Sequence, residues 1–419
     1  MRSLKPAAGV AAFCLALGLG ASSAVNAGEV EVLHWWTSGG EAKSVAELKK
    51  ILEKRGHQWK DFAVAGGGGE NAMTVLKSRV VSGQPPTAAQ VKGPSIQEWG
   101  REGVLTNLDD VAKAGNWDGL LPGVVSNAMK YRGHYVAVPV NVHRVNWMWA
   151  NPAVFKKAGA KIPTNWDEFA VAAEKIKKAG FIAVAHGGQP GQDGTVFESV
   201  APAVGGADRH RKAFVDLDQL ALNSSTMEKA FATLRTVQQY IDKDAANRDW
   251  NLATAMVING KAAMQFMGDW AKGEFTAAGK VPGKDYICMP APGTSGAFTF
   301  NIDSFIMFEQ KAAAAKKAQR DLAAAIMEPQ FQEVFNLNKG SIPARSGMDL
   351  AKFDSCAKDS SAEFQSSAKS NQLVPSWAHG MAMSAAAQGA MFDVVTQFMN
   401  SNMTPKDAAA KMASAARSR

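Results

Sequence analysis

The sequence predicts an α/β fold divided between two domains, and three observations support this prediction. The chain has 419 residues, enough for two domains of ordinary size. Hydrophobic residues make up 46 % of it and charged residues 20 %, so a sizeable core can form. Short apolar strands alternate with amphipathic helices from residue 29 onward, which is typical of a largely parallel sheet. The composition excludes a wholly disordered chain, a collagen and a small disulfide-stabilised protein.

Residues 1–27 have the pattern of a secretory signal peptide. Two basic residues precede an apolar stretch from Ala7 to about Leu19, and Val25 and Ala27 occupy the positions that a signal peptidase reads. The apolar stretch is shorter than the roughly 20 residues that a membrane span needs. No later stretch is long and apolar enough to cross a bilayer. We therefore expect cleavage after Ala27 and an exported, soluble protein.

The cysteine content is compatible with export but does not establish it. Cys14 falls within the predicted signal peptide, so Cys288 and Cys356 remain in the exported chain. An oxidising compartment permits them to pair. Because the sequence does not give the distance between them, both the bonded and the free state stay open.

The N-terminal part of the exported chain reads as strands and helices in alternation. Residues 29–36 alternate in polarity, which predicts the first strand, and Thr37–Gly40 ends it with capping hydroxyls. The next helix places apolar residues of the segment 45–52 on one face and ends at Gly56. After it we predict strands at 62–64 and 88–91, a helix at 72–82 and a helix that begins at Pro94.

A second series of strands and helices follows. Two strand-like runs lead into it, and a segment with two prolines crosses back near residues 286–293. We find no internal repeat, no low-complexity tract and no long charged run, so short extended crossings would have to join the domains. The predicted strands are 135–140, 145–150 and 298–308, and the predicted helices are 167–178, 227–241, 253–259, 311–327, 381–399 and 405–416.

Common enzyme and metal motifs are absent from the sequence. The seven histidines show no HExxH spacing, and there is no CxxC pair or GxSxG elbow. Gly66–Gly69 is followed by Glu70 and Asn71, so we interpret it as a flexible turn and not as a phosphate-binding loop. The basic cluster Arg209–Lys212 is interpreted as a solvated loop, because an exported protein rarely meets nucleic acid. We expect no metal ion and no cofactor.

Tryptophan is unusually frequent, with 11 Trp against 4 Tyr. Trp35 and Trp36 end the first strand, and Glu41 follows near the start of the next helix, at the strand end where α/β sheets bind ligands. A pyranose presents apolar C–H faces that stack on indole rings, and hydroxyls that bind charged or amide groups. These three residues supply both kinds of group, although one of the two indoles could instead pack in the core.

Further polar and aromatic candidates recur at the ends of later elements. Gln90 and Lys92 are two residues apart and share a face at the end of the third strand. Asn301 and Asp303 share a face inside an otherwise apolar strand, where a polar pair needs partners. Each candidate taken alone could equally be a cap, a satisfied core residue or a surface charge. The remaining candidates are Trp270, Lys339 and His379.

Five segments are distinctive when taken together. They are Glu-Val-Glu-Val-Leu-His-Trp-Trp-Thr-Ser-Gly-Gly-Glu at 29–41, Val-Pro-Val-Asn-Val-His-Arg-Val-Asn at 138–146, Met-Gly-Asp-Trp at 267–270, Phe-Asn-Ile-Asp at 300–303 and Lys-Gly-Ser-Ile-Pro-Ala-Arg at 339–345. With them the chain resembles the periplasmic sugar-binding proteins of bacterial ABC importers, and within these the glucose-binding branch. The resemblance covers nearly the whole exported chain.

The resemblance implies a periplasmic-binding-protein fold of two α/β lobes, each a sheet flanked by helices, with the ligand in the cleft between them. The crossings between the lobes would lie near Pro139, Ala297 and Ala344. The lobes would comprise residues 28–138 and 298–345 for the first, and residues 139–297 and 346–419 for the second.

The resemblance also implies roles for the candidate residues. One indole of the Trp35–Trp36 step and the indole of Trp270 would sandwich the sugar ring. Some relatives carry His where this chain has Lys92, and no residue would be catalytic. The side chains that would hold the hydroxyls are Glu41, Lys92, Asn301, Asp303, Lys339 and His379, with Gln90 as a further polar position.

The sequence therefore predicts a monomeric periplasmic protein that delivers a monosaccharide, glucose, to the membrane subunits of an ABC importer by hinge closure. One alternative is an oligosaccharide- or polyol-binding protein of the same fold, with Trp147, Trp149 and Trp377 either as extra aromatic subsites or as core. Another is an exported glycoside hydrolase with Glu41 and Asp303 as its carboxylates, although neighbouring cations would keep both ionised. A structural or adhesive envelope protein would bind no small ligand.

Overall fold

The computed structural model describes residues 27–417. The predicted signal peptide lies outside the described residues, apart from Ala27. Within the described range, no helix combines the length and the apolar character needed to cross a membrane.

The strands are short, with two to six residues each, and several follow one another closely in the chain. They are β1 (Glu29–His34), β2 (Gln58–Ala63), β3 (Ala88–Val91), β4 (Lys130–Tyr131), β5 (His134–Tyr135), β6 (Ala137–Pro139), β7 (Asn141–Arg144), β8 (Trp147–Ala150), β9 (Ile182–Val184), β10 (Ala262–Phe266), β11 (Ile287–Pro290), β12 (Phe298–Asn301), β13 (Ser304–Met307), β14 (Ile342–Pro343) and β15 (Leu373–Pro375).

The helices range from single turns to a 25-residue helix. They are α1 (Gly39–Lys54), α2 (Glu70–Val81), α3 (Pro94–Arg101), α4 (Asp109–Ala114), α5 (Trp117–Leu120), α6 (Gly123–Ala128), α7 (Pro152–Ala158), α8 (Trp166–Lys178), α9 (Pro190–Phe214), α10 (Gln219–Leu222), α11 (Ser225–Gln238), α12 (Trp250–Ile258), α13 (Ala271–Ala277), α14 (Ala313–Ile326), α15 (Pro329–Lys339), α16 (Ser355–Lys369), α17 (Ala385–Met399) and α18 (Pro405–Ala415).

Two sheets form the centres of two lobes. The first has the strand order β2-β1-β3-β13-β6, in which β1 runs parallel to β2 and β3 while β13 is antiparallel to both of its neighbours. The second has the order β11-β8-β10-β9, with only the β10–β9 pair parallel. The predicted α/β class is confirmed, but the prediction of a largely parallel sheet is wrong, because β13 inserts antiparallel between β3 and β6 and makes the first sheet mixed.

A third sheet, of order β14-β7-β12-β15, lies where the chain passes between the lobes. Residues 137–150 supply β6 to the first sheet, β7 to the third and β8 to the second in immediate succession. Likewise β12 belongs to the third sheet and β13 to the first. The single strand predicted at 298–308, interrupted by Asn301 and Asp303, is in fact two strands, because the chain changes sheets at Ile302 and Asp303. The detailed lobe boundaries stay a prediction.

Apolar side chains from both faces of the sheets build the cores. One cluster surrounds the first sheet, with Leu48 of α1 and Phe335 of α15 fully buried in it. The second sheet is covered on its two faces by two further clusters. Trp147, Trp149 and Trp377 are at most 2 % exposed within these clusters, so they belong to the core and do not form extra sugar subsites.

The predicted solvated loop at Arg209–Lys212 is wrong. These residues lie in the last turns of α9, a helix that the sequence pattern does not predict because Pro202 and Gly206 interrupt it. At Gly206 the backbone leaves helical geometry with φ +76°, and the helix resumes after it. His210 in the middle of the cluster is buried against Phe214, which ties this segment to the core.

The start of α17 also differs from the predicted helix at 381–399. Ser384 adopts an extended conformation, and its hydroxyl accepts a hydrogen bond from the backbone N–H of Ala387. This is the geometry of a helix N-cap, so the helix begins at Ala385. His379 consequently lies in the turn that follows β15 and not at a helix start.

Cys288 and Cys356 form a disulfide bond, which resolves the question that the sequence left open. The bond joins β11, at the edge of the second sheet, to α16. Phe364 of α16 packs in the core cluster of the first sheet, whereas Cys356 belongs to a cluster of the second. Thus α16 bridges two cores, and the disulfide fastens one end of that bridge.

Candidate binding cleft

A cleft of about 560 Å³ separates the two lobes and collects most of the residues that the sequence singled out. Its volume lies within the roughly 300–1,000 Å³ of small-molecule sites. Of the ten predicted site residues only Gln90 is missing from its lining. The nine that line it are Trp35, Trp36, Glu41, Lys92, Trp270, Asn301, Asp303, Lys339 and His379.

The two adjacent indoles after β1 have different surroundings. Trp36 is 2 % exposed and packs on Phe305 and Phe335, with ring centroids 5.5 and 5.2 Å away. Its ring is therefore largely a core side chain that reaches the cleft at one edge. The ring of Trp35 has the Nζ of Lys92 5.2 Å from its centroid, an arrangement that places a cation against an aromatic face.

The glycine-rich segment 66–69 forms part of the cleft wall, which the prediction of a flexible turn did not anticipate. Gly69 has φ +106°, and a Cβ atom placed on it would lie 2.9 Å from the ring of Trp35. Only glycine fits against the indole in this conformation. The segment therefore positions the Trp35 ring, and Glu70 and Asn71 continue the same wall.

Trp270 approaches the cleft from the second lobe, in the turn that precedes α13. Its ring makes edge contacts with two imidazoles, His143 at 5.2 Å and His379 at 4.6 Å between centroids. The cleft thus receives an indole from each lobe.

Glu41 and Lys339 form a buried ion pair at the cleft. Lys339 Nζ donates to Glu41 Oε1 at 2.8 Å, and the two side chains are 9 % and 3 % exposed. Glu41 lies in the first turn of α1, and its other oxygen accepts from the backbone N–H of Ser38 at 3.5 Å. Lys339 is the last residue of α15. Both charges have polar partners while they face the cleft.

A close backbone approach of two chain segments lies beside this ion pair. A Cβ atom on Gly40 would lie 2.9 Å from the backbone carbon of Gly273, so α1 and α13 touch through their backbones. The backbone N–H of Gly40 donates to Glu274 Oε1 at 3.0 Å. A larger residue at Gly40 or Gly273 would push apart the segments that carry Glu41 and Trp270.

Asp303 is the most strongly held carboxylate of the site. Its Oδ1 accepts from Gln90 Nε2 at 3.3 Å, and its Oδ2 accepts from Asn141 Nδ2 at 3.1 Å and faces His143 Nε2 at 2.8 Å. Burial alone would raise the pKa of Asp303, but the charges of His143, Lys92 and Lys339 outweigh it and hold this pKa below its usual range. Asp303 therefore stays an ionised hydrogen-bond acceptor.

Gln90 is fully buried behind the cleft and holds two of its residues in place. Besides its bond to Asp303, its Oε1 accepts from the backbone N–H of Trp35 at 3.3 Å. The predicted shared face of Gln90 and Lys92 does not lead to a shared role, because β3 ends at Val91 and only Lys92 reaches the cleft.

Lys92 and His379 are both perturbed by their surroundings. Burial lowers the pKa of Lys92, partly offset by the attraction of Asp303. Burial and the nearby charges of Lys92 and His143 lower the pKa of His379 well below its ordinary value, so its ring is neutral at pH 7. The Nε2 of His379 lies 2.9 Å from Thr195 Oγ1, which fixes the ring.

Asn301 carries a polar atom that the protein does not satisfy. Its Oδ1 is buried and has no hydrogen-bond partner within the described residues, although the side chain lines the cleft. An unpartnered buried carbonyl oxygen costs roughly 1–3 kcal/mol. A ligand hydroxyl in the cleft would supply the missing donor.

Several cleft residues were not identified from the sequence. His143 lines its base and contacts Asp269, which lies behind it, and Gln189, Gln192 and Trp250 line its second-lobe wall. His143 and Asp269 occur in two of the distinctive segments, so their segments were recognised although their roles were not. Gln189 and Gln192 lie at the start of α9, a helix that the sequence pattern does not predict. Trp250 lies in the first turn of α12, where no local signal marks it.

The arrangement disfavours acid–base chemistry and offers little to a metal ion. A glycoside hydrolase needs one carboxyl group that is protonated at working pH. Here Glu41 is paired with Lys339, and the pKa of Asp303 is held low. Among residues 27–417, no three His, Cys, Asp or Glu side chains are grouped to hold a metal ion.

The fold and the cleft define a two-lobe solute-binding protein, and comparisons with known proteins agree. Residues 39–325 match the model of the family described as bacterial extracellular solute-binding protein. The chain is 48 % identical over 415 residues to a probable sugar-binding periplasmic protein of Brucella suis biovar 1 (strain 1330), covering 98 % of each chain. This protein belongs to the bacterial extracellular solute-binding protein family.

Other relatives are named for transport or for sugars. An uncharacterized ABC transporter extracellular-binding protein of Pyrococcus horikoshii is 36 % identical over 387 residues, covering 91 % of this chain and 86 % of that protein. The xylose/arabinose-binding protein XacG of Haloferax volcanii is 25 % identical over 376 residues, covering 86 % and 79 %.

Solved structures share the fold at low sequence identity. A chitin oligosaccharide binding protein superposes with a TM-score of 0.79 at 19 % identity, covering 93 % of this chain and 98 % of that chain. Maltose-bound MalE3 of T. maritima gives a TM-score of 0.73 at 16 % identity, covering 93 % and 99 %. At this identity the similarity concerns the fold alone.

Proposed function

We propose that this protein is exported to the periplasm, binds D-glucose between its lobes and presents the closed complex to the membrane subunits of an ABC importer. The observation that carries the proposal is the composition of one cleft, which takes Trp35 from the first lobe and Trp270 from the second. The same cleft is lined by Glu41, Lys339 and Asp303, whose charges are already paired within the protein. A neutral ring with many hydroxyls fits this combination of apolar faces and polar rim.

Hydroxyl recognition is supported by the state of the polar groups. Asp303 is ionised and can accept, Asn301 Oδ1 lacks a donor, and Lys92 and Lys339 can donate. Because such groups are fixed by neighbours, an epimer with a displaced hydroxyl would leave one of them unpaired, at roughly 1–3 kcal/mol. We therefore expect glucose to be bound more tightly than its epimers.

Hinge closure is the proposed mechanism. The position of the third sheet supports the crossings predicted near Pro139, Ala297 and Ala344, since β7, β12 and β14 lie within two residues of them. We propose lobes of residues 28–138 with 298–345 and of residues 139–297 with 346–419. A ligand that contacts both lobes shifts the population toward the closed form.

Export and delivery complete the proposal. The signal-peptide pattern of residues 1–27 and the periplasmic names of relatives support export, and the ABC transporter name of the Pyrococcus horikoshii relative supports an importer as partner. We propose that the exported chain acts as a monomer.

Intrinsic tryptophan fluorescence of the exported protein, titrated separately with glucose, galactose, mannose, xylose and maltose, tests the proposal. Trp35 and Trp270 lie in the cleft and would report a bound ring. Saturation by glucose at micromolar or lower concentration, with its epimers at least tenfold weaker, is the expected result. Absence of any response to these sugars, checked by calorimetry, would overturn the proposal.

An oligosaccharide is a second candidate, favoured by the extent of the cleft. Its volume of about 560 Å³ and the position of Trp250 and Gln189 on its wall leave room for more than one ring. Tighter binding of maltose than of glucose in the same titration would favour this candidate. A Trp250→Ala variant would then lose affinity for maltose and keep its affinity for glucose.

A further inference from the structure

His143 lies at the base of the cleft, on strand β7 of the third sheet, with an acidic residue on each side. Its Nδ1 contacts Asp269 Oδ1, and its Nε2 lies 2.8 Å from Asp303 Oδ2. Asp269 follows β10 of the second sheet, whereas Asp303 precedes β13 of the first. One imidazole thus joins the segments that enter the two lobes.

The geometry favours a doubly protonated ring. A carboxylate oxygen can only accept a hydrogen bond, so a hydrogen bond from each ring nitrogen to its carboxylate requires two N–H groups, and an imidazole with two N–H groups is an imidazolium. Burial by itself would lower the pKa of His143, but the charges of Asp269 and Asp303 outweigh it and raise this pKa above its ordinary value. Asn141 Nδ2, 3.0 Å from the ring nitrogen, donates to the same Asp303 oxygen.

The carboxylates held by His143 are themselves tied to the binding residues. Asp269 Oδ2 accepts from the backbone N–H of Arg144 at 2.9 Å, and Asp269 directly precedes Trp270. The edge of the Trp270 ring stands against the imidazole itself, 5.2 Å between centroids at 89°. The position of the indole and that of the Asp303 carboxylate therefore both depend on His143.

Buried charges of both signs meet around His143 at the base of the cleft. The negative groups there are Glu41, Asp269 and Asp303, and the positive groups are Lys92, Lys339 and His143. Arg144 lies beside them but is paired with Glu363 at 2.5 Å, and His379 is neutral. A neutral sugar brings no charge, so loss of the imidazolium would leave one buried carboxylate uncompensated when the ligand displaces water.

We propose that His143 is a positioning residue for sugar binding, which holds the Asp303 carboxylate and the Trp270 indole in their ligand-contacting places while it compensates the charges of Asp269 and Asp303. The inference rests on the proposed function. Since both ring nitrogens are occupied by carboxylates, His143 acts through these neighbours and not through a hydrogen bond of its own to the ligand.

The experiment is a glucose titration of wild type, His143→Gln and the control His57→Gln at pH 7. His57 is also a buried histidine, 2.7 Å from Asp321, but it does not line the cleft. We expect His143→Gln to bind glucose at least tenfold more weakly, with His57→Gln within twofold of wild type. Adding Asp269→Asn to His143→Gln removes the excess negative charge and should recover part of the lost affinity. A purely structural loss would not be recovered.

Glucose affinity measured as a function of pH is the second readout, and it tests the inference even if His143→Gln does not fold. Asp269→Asn removes one of the two charges that raise the pKa of His143, so His143 should lose its proton at lower pH in this variant. The glucose affinity of Asp269→Asn should therefore begin to fall at a lower pH than that of wild type. The other titratable groups that face His143 and its carboxylates are Lys92, Lys339 and His379. Their surroundings change less than those of His143 in Asp269→Asn. An unshifted profile, or a His143→Gln affinity equal to that of wild type, would overturn the inference. If wild type binds no sugar, the proposed function itself fails, and this inference fails with it.

Discussion

Lys339 Nζ and Glu41 Oε1 lie 2.8 Å apart, although 298 residues separate them in the chain. The pair joins the last turn of α15 to the first turn of α1 and faces the cleft. Because of this pair, β1 with the helix α1 that follows it and the distant helix α15 all contribute to one site.

Breaking this buried pair should cost both stability and ligand affinity. Lys339→Met leaves the Glu41 carboxylate buried without its cation, so we expect the free energy of unfolding to fall by about 3–5 kcal/mol. Adding Glu41→Gln should restore most of the stability, because no charge then lies unpaired, but not the glucose affinity. Urea unfolding and calorimetric titration measure the two effects.

Lys317→Met is the matched control for that prediction. Lys317 pairs with Asp321 at 2.6 Å on the exposed face of α14, where an ion pair contributes about 0–1 kcal/mol. Equal losses of stability in Lys317→Met and Lys339→Met would contradict the importance of burial for the Glu41 pair.

The two neighbouring indoles should separate binding from stability. Trp36→Ala removes a ring packed on Phe305 and Phe335, so we expect a loss of about 3–5 kcal/mol in the free energy of unfolding. Trp35→Ala removes a cleft-facing ring and should weaken glucose binding at least tenfold with a smaller loss of stability. Denaturant unfolding and fluorescence titration distinguish the two variants, and a reversed order of effects would refute the assignment.

The disulfide should stabilise the protein because it closes a long loop. Cys288 and Cys356 are 68 residues apart, and a bond across such a separation is worth about 2–4 kcal/mol. We expect Cys288→Ser/Cys356→Ser to unfold at lower urea concentration, and a reductant to shift wild type by the same amount. The double variant is the control, since a reductant should not affect it. Two thiols titrated in unfolded, unreduced protein would contradict the bond.

Stability should fall as the pH rises toward 8, because of Glu198. Burial raises the pKa of Glu198 to about 8, and burial lowers that of the adjacent His210 to about 4. Between the ordinary carboxyl pKa and pH 8 the folded state binds the Glu198 proton more tightly than the unfolded state, so its contribution declines with pH. Below about pH 6.5 the unfolded state binds a proton on His210 more tightly than the folded state does, so the contribution of His210 to stability rises with pH and offsets this decline.

The measurement compares the free energy of unfolding at pH 6.5 and pH 8. For wild type we expect a loss of about 1 kcal/mol over this range. Glu198→Gln cannot titrate and can keep an acceptor for the backbone N–H of Trp377, which donates to Glu198 Oε1 at 2.6 Å. Its stability should therefore be nearly constant over the same range. An equal decline in both proteins would assign the effect to another group.

Much of the site could be predicted from the sequence because its signals are local. The polarity alternation at 29–36, the carboxylate after it and the segment at 267–270 are visible without tertiary information. Nine of the ten candidate side chains line one cleft for this reason. Gln90 lies behind the cleft whereas Lys92 lines it, because β3 ends between them at Val91, and the boundary of a short strand is a weak local signal.

What the sequence by itself determined is the α/β class, the likeness to a family and the types of group that meet a ligand. Only the tertiary structure decided which of these groups pair with one another. His143 meets Asp269 and Asp303, which lie 126 and 160 residues further along the chain, and Glu41 meets Lys339. Periodicity and capping act over a few residues, whereas the pairing and the pKa of a buried charge depend on neighbours brought together by sheet topology.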